Sequence, residues 1–162
     1  MNKYLMCLFM EHLLDPEKKK PVCVVESEKS AAMASFFYPD YDWVACGAAS
    51  GLTDGKDGKP DKVTPLKGRK VLWLCDADKA GRGQYDSNGT WRYPSSVRHL
   101  MEAIDDFHIA DLFLDQTDGY DIGDAIIDGV RPEILPTWTK GTNNQPPISK
   151  DQQMAYLYEL PE

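Results

Sequence analysis

A chain of 162 residues has the length of one domain with a substantial core, and 42% hydrophobic with 27% charged residues excludes a disordered or fibrous chain. The formal net charge of −8 repels phosphate backbones and gives no support to simple electrostatic capture of nucleic acid, although acids gathered around divalent cations would reverse the local sign. Cys7, Cys23, Cys46 and Cys75 form no C-x-x-C pair, which argues against structural zinc.

Tyr4 to Leu14 places Leu5, Leu8, Phe9 and Leu13 at helical spacing before Asp15-Pro16, predicting an amphipathic opening helix over 4–14. Glu11 and His12 stand there instead of a signal cleavage site, and no stretch approaches the roughly 20 apolar residues of a membrane span. A protein without membrane partners is expected, and cysteines in apolar runs read as the buried, reduced thiols of a cytoplasmic one.

After Lys18-Lys19-Lys20-Pro21, the run Val22-Cys23-Val24-Val25 has the unbroken apolarity of a central parallel strand and stops at Glu26. Ser27 then caps a helix whose face is Ala31, Ala32, Met33, Phe36 and Phe37, up to Pro39. Trp43 to Cys46 predicts a second strand, Gly47 to Gly51 a loop of small residues, and Thr53 to Lys62 a flexible surface loop. Lys70 to Cys75 is the strongest strand signal and ends in Asp76.

Ala80 to Tyr93 reads as a polar insertion. From Pro94 a helical face of Val97, Leu100, Met101, Ile104 and Phe107 follows, then a strand over Ala110 to Leu114. A last clear helix opens at Asp121 and runs to about Ile127, before the Asp128-Gly129 stop. Residues 131–162 form a poorly patterned extension, with a short helix predicted over Ser149–Leu160. Alternating strand and helix predicts one α/β domain, Rossmann-like, with a mainly parallel sheet of about four strands flanked by helices and a motif-bearing core over 22–127.

Ligands bind such sheets at the carboxyl ends of the strands, and here both strong strands end in acid. Asp76 and Asp78, two apart, point to one side at about 6–7 Å if the chain is still extended there, with Glu26 facing them from the neighbouring strand. Like charges so close raise one another's pKa, a conflict that a divalent cation resolves. All-oxygen ligands favour magnesium or manganese over zinc. Asp121 and Asp124 occupy N-cap and N3 positions, where capping explains them without a ligand. Arg82 and Arg92, mixed with Tyr85, Trp91 and Tyr93, follow the cation-plus-ring recipe for single-stranded nucleic acid, which loops also contain by chance.

The segments VVESEKSA, GAASGL, VLWLCDADKAGR and DGYDIGDAI resemble, in order and spacing, the Toprim domains of bacterial and plasmid primases over about Val22–Ile127. That family carries a glutamate after its first strand and a D-x-D pair after a later one, often followed by an alanine-glycine step; Glu26, Asp76, Asp78, Ala80 and Gly81 fit those places. The resemblance implies that Asp76 and Asp78 bind magnesium (or manganese), that Glu26 is a metal ligand or general acid/base, and that Asp121 and Asp124 lie near the same centre. It further implies nucleotidyl or phosphodiester transfer on DNA or RNA with nucleoside triphosphates, in plasmid or mobile-element replication.

Lys29, Ser50, Gly51, Arg82 and Arg92 are the candidate phosphate or nucleic-acid contacts. Ser27 departs from the family's glycine, and the zinc ribbon and basic segment that accompany primase Toprim domains are not among these residues, so the chain is expected to be one part of a larger machine, with partners such as a zinc-ribbon domain or a helicase, or a trimmed fragment of a longer protein. The competing readings are a Toprim nuclease and a non-catalytic assembly module. A haloacid-dehalogenase-type phosphatase fits less well, because Ala80 stands where that family expects Thr or Val and a whole βαβ unit precedes the motif.

Overall fold

The computed structural model describes residues 7–141. Strand β1 (Val22–Val25) is buried along its whole length, as a central strand covered on both faces must be. It is followed by α1 (Glu28–Phe37), β2 (Asp42–Ala45) and, after a connection containing two 3-10 turns, β3 (Val71–Leu74). Then come the one-turn α2 (Lys79–Arg82), a hairpin of β4 (Gln84–Tyr85) and β5 (Trp91–Arg92), α3 (Ser95–Ala103), β6 (Phe107–Ala110), α4 (Ile122–Ile127) and β7 (Trp138–Thr139).

The main sheet has the order β2-β1-β3-β6-β7. The first four strands are parallel and β7 pairs antiparallel with β6, so the protein is α/β with a mainly parallel five-stranded sheet. Alternation along the strands divides the core in two. Val22, Val24, Val71 and Trp73 pack with Val97, Leu100 and Ile104 and with Leu52, Val63 and Leu66 of the β2–β3 connection. Cys23, Val25, Leu72 and Leu74 pack on the opposite face with Ala31 and Ala34 of α1 and Ile122, Ala125 and Ile126 of α4. The chain leaves β1 over the α1 face and returns to β3 over the other, so the winding direction reverses between these two strands. In such sheets the reversal opens a crevice at the carboxyl ends, where the ligand sites of this architecture lie.

Several elements differ from expectation. Residues 7–14 form no α-helix; Phe9 bridges Ala45 through backbone bonds of 3.0 and 3.3 Å, and only Glu11–Leu13 makes a 3-10 turn. The edge of β2 needs a backbone partner and Leu8 fills the core beneath it, which decides against the helix. Residues 4–6 of that predicted helix, and the one predicted over Ser149–Leu160, lie outside the described residues. Helix α3 ends before Ile104, whose backbone is extended, and Phe107 opens β6 instead of continuing the helical face. The predicted strand over Ala110–Leu114 therefore falls after the real one: helical and strand periodicities ran together across Asp105-Asp106.

The surface loop at 53–62 is pinned by an Asp54–Asp61 bridge and by Lys62 N–H donating to Thr53 O at 2.8 Å. The antiparallel β7 had no sequence signal beyond Trp138. Cys23, Cys46 and Cys75 are buried free thiols, whereas Cys7 is exposed. Among the described residues no helix is long and apolar enough to cross a membrane.

Candidate functional site

The reversal of winding brings Glu26 and Asp76 together. Glu26 leaves β1 with its carbonyl held by Gly47 N–H at 2.8 Å, while the neighbouring chain leaves β3 with Cys75 N–H on Ala110 O at 3.2 Å. Gly81 measures their closeness: a Cβ on it would stand 2.8 Å from both N and O of Asp76 and 2.9 Å from Glu26 Oε1. Only a residue without a side chain lets α2 sit on both.

Asp78 does not prolong an extended strand. Its N–H donates to Asp76 O at 2.8 Å, closing a tight turn at Ala77, so the extended chain on which the predicted spacing of the two aspartates depended does not continue through them. One oxygen of Asp78 caps α2 by accepting from Gly81 N–H at 2.7 Å. The other would lie 3.4 Å from a Cβ on Gly119. The turn is stitched to that loop, with Ala77 N–H on Tyr120 O at 2.9 Å and Gly119 N–H on Ala77 O at 3.3 Å.

Burial, then the negative charges of Asp78 and Asp121, raise the Glu26 carboxyl to about 7 against an opposing pull from the Ala49 amide. Asp76 rises to about 8 through burial and then the charges of Glu26, Asp121, Asp78 and Asp124. Glu26 Oε1 is buried and has no hydrogen-bond partner among the described residues. The site is thus so buried and so crowded with acids that Glu26 and Asp76 retain protons toward neutral pH, and among the described residues one Glu26 oxygen finds no donor.

Asp121 and Asp124 make a reciprocal capping box on α4, with Asp124 N–H on Asp121 Oδ1 at 2.9 Å and Asp121 N–H on Asp124 Oδ2 at 3.2 Å. The second Asp121 oxygen accepts from the buried Ser30 hydroxyl at 2.6 Å, which docks α4 on α1. Both acids therefore hold structure while contributing to the field. Lys29, a candidate phosphate contact, pairs with Asp124 Oδ1 at 3.2 Å and stays half exposed.

Gly51 serves the turn itself: a Cβ there would meet Cys46 O at 2.1 Å. Ser50 is exposed on a cleft of about 530 Å³ that also touches Glu26, Lys79, Gln84, Arg92 and Tyr93. A second cleft of about 580 Å³, lined by Ser27, Lys29, Gly47 and Asp76, shares Glu26 with the first. The insertion folds as the β4–β5 hairpin, with Tyr85 and Trp91 edge to face at 5.0 Å, Trp91 and Tyr93 at 6.0 Å, and Tyr93 against Trp138 at 6.2 Å. Arg92 is exposed on this wall and paired with Asp86 at 2.8 Å.

Arg82 corrects the expectation of a nucleic-acid contact. It is buried, with its guanidinium on Asp111 at 2.7 and 3.1 Å and on the carbonyls of Gln116 and Phe113. Asp111 itself escaped sequence reasoning, because a strand placed over Ala110–Leu114 concealed that it is a third acid at a strand end.

Among the described residues no three His, Cys, Asp or Glu side chains already stand in an arrangement that would hold a metal ion. Glu26 and Asp76 nonetheless suit magnesium or manganese in donor type. The ligands are all oxygen, one of them lacks a donor, and magnesium commonly takes one or two carboxylates and fills its other positions with water and phosphate.

Fold and site together define an α/β protein wound in two directions about an acidic centre at its switch point. Residues 2–77 match the family described as Domain of unknown function (DUF6371), a similarity that takes in Glu26 and Asp76 and stops before Asp78. No curated protein and no solved structure was found to match the chain.

Proposed function

We propose that this chain carries a Toprim-type centre for magnesium-dependent nucleotidyl or phosphodiester transfer on nucleic acid, of the primase kind, within a plasmid or mobile-element replication system. The observation that carries this reading is the meeting of Glu26 and Asp76, distant in the chain, at adjacent strand ends where the winding reverses, with Glu26 Oε1 left without a donor among the described residues. Glu26 and Asp76 would hold the cation, joined by Asp78 if its cap on Gly81 loosens. The cation supplies charge neutralisation and polarisation of a phosphoryl oxygen when bound. With its carboxyl lifted to about 7 in the absence of metal, Glu26 is suited either to exchange a proton near neutral pH or, once a cation has displaced that proton, to act as a ligand, and the two roles are alternatives. The cleft beside it, walled by Lys79, Arg92 and Tyr93, offers charge and a ring face to a nucleotide or a single strand.

The test is manganese binding followed by electron paramagnetic resonance. Wild type binds, and Asp76→Asn and Asp78→Asn weaken binding at least tenfold; unchanged affinity in both variants removes the reading. Incubation with single-stranded DNA, nucleoside triphosphates and manganese then separates labelled primers, expected here, from nicking by a nuclease.

A non-catalytic assembly module is the second reading. It is favoured by the net charge of −8 and by the prior engagement of Asp78 and Asp121 as caps. Metal binding without primer synthesis or nicking would select it.

A further inference from the structure

The α2 turn that carries Asp78 and Gly81 has four residues, far too few to hold a helical shape by itself. Contacts with described residues outside it hold its start, its middle and its end. Asp78 caps its start through Gly81 N–H, the buried Trp73 indole N–H donates to Gly81 O at 3.1 Å, and Arg82 anchors its end. The Arg82 anchor is the most elaborate. Its Nε and Nη2 meet the two Asp111 oxygens at 2.7 and 3.1 Å, Nη1 donates to Gln116 O at 3.3 Å, and Nη2 also donates to Phe113 O. The Asp111 side chain is fully buried, at 0% exposure, and that of Arg82 is 7% exposed.

Burying such a pair seldom adds stability over a well-packed apolar pair of similar volume, because desolvation offsets the attraction. What a planar fork on a carboxylate and two carbonyls does supply is a fixed orientation. The element so fixed lies against the acids: a Cβ on Gly81 would be within 2.9 Å of Glu26 Oε1 and of the Asp76 backbone.

We propose that the Arg82–Asp111 pair is a positioning device, which ties the α2 turn to the end of β6 and thereby sets where Asp78 and Gly81 stand relative to Glu26 and Asp76. Its consequence for metal binding rests on the function proposed above; its consequence for the order of the turn does not.

The experiment compares the full chain with an Arg82→Met/Asp111→Leu double variant and with Arg82→Lys, which keeps the charge and loses the fork. Amide hydrogen exchange by nuclear magnetic resonance is read at Ala77, Gly81 and Arg82, whose N–H groups bond Tyr120 O, the Asp78 carboxylate and Asp78 O. The core amides of Val24 and Trp73 serve as the reference. The expected result is exchange faster by at least about tenfold at the three turn amides, with the core amides unchanged, and a smaller effect in Arg82→Lys. On the same samples manganese affinity falls about 10- to 100-fold in the double variant, the usual effect of removing a group that orients ligands.

Turn exchange equal to wild type, or faster only in proportion to the core, overturns the proposal, as does wild-type manganese affinity in a variant whose turn has loosened. Should the double variant fail to fold, Arg82→Lys decides by the same readings. Wild-type protein that binds no manganese sinks the function proposed above, while the exchange result still judges the pair.

Discussion

Asp76→Asn should stabilise the metal-free protein, and only at high pH. Burial and the surrounding acids hold the Asp76 carboxyl at about 8 against an ordinary value of 3.8. Between those values the native protein keeps a proton that the unfolded chain has released. The contribution of Asp76 to native stability is therefore complete below about pH 4 and declines as pH climbs to 8. One unit of pKa corresponds to about 1.4 kcal/mol, but Asp76 is partly open to solvent and coupled to Glu26. After screening, about 1–2 kcal/mol is a sound expectation for the asparagine variant at pH 8. For a chain of this size that raises the melting temperature by about 3–6 °C. Scanning calorimetry in EDTA from pH 4 to 8.5 reads it directly. A variant no more stable than wild type at pH 8, or stabilised equally at pH 4 and 8, would refute the claim that the Asp76 charge is held in a repulsive field.

Glu26→Gln should behave alike with a smaller gain, since its carboxyl is lifted only from 4.5 to about 7, and thermal melts across the same pH range would show the ordering. Magnesium should raise the wild-type melting temperature at pH 8 and leave Asp76→Asn unmoved, because only a protein that binds the ion gains from mass action. Gly81→Ala, despite alanine's better helix propensity, should cost about 1–3 kcal/mol in urea unfolding, since the methyl group would press on the Asp76 backbone at 2.8 Å. Asp121→Ala removes the α4 cap and the acceptor of the buried Ser30 hydroxyl, and chemical denaturation should register a loss of about 2–3 kcal/mol.

Local chemistry made much of the scaffold legible. Four-residue apolar runs with both faces buried announced β1 and β3, and Ser27 and Asp121 stand at the N-cap positions of α1 and α4, although only Asp121 caps its helix through the side chain. Reading failed where two signals merged or where a partner lay far away. Phe107 satisfies helical spacing from α3 yet belongs to β6, and Leu8 and Phe9 look helical until the core takes the Leu8 side chain and the β2 edge claims the Phe9 backbone. Arg82 looked like a surface cation because nothing near it in the chain hints at Asp111. Trp138 gave little sign of a strand, since β7 exists only by pairing with β6.

From order and residue type alone came an α/β chain, strand ends rich in acid, and the choice of Glu26, Asp76 and Asp78 as the residues to watch, because strand periodicity and side-chain chemistry are local properties. Which oxygens remain without a donor, which acids are spent as caps, and which arginine lies buried beneath the turn were settled by packing. Those outcomes depend on groups that meet only when the sheet reverses its winding and α1, α2 and α4 close over the strand ends.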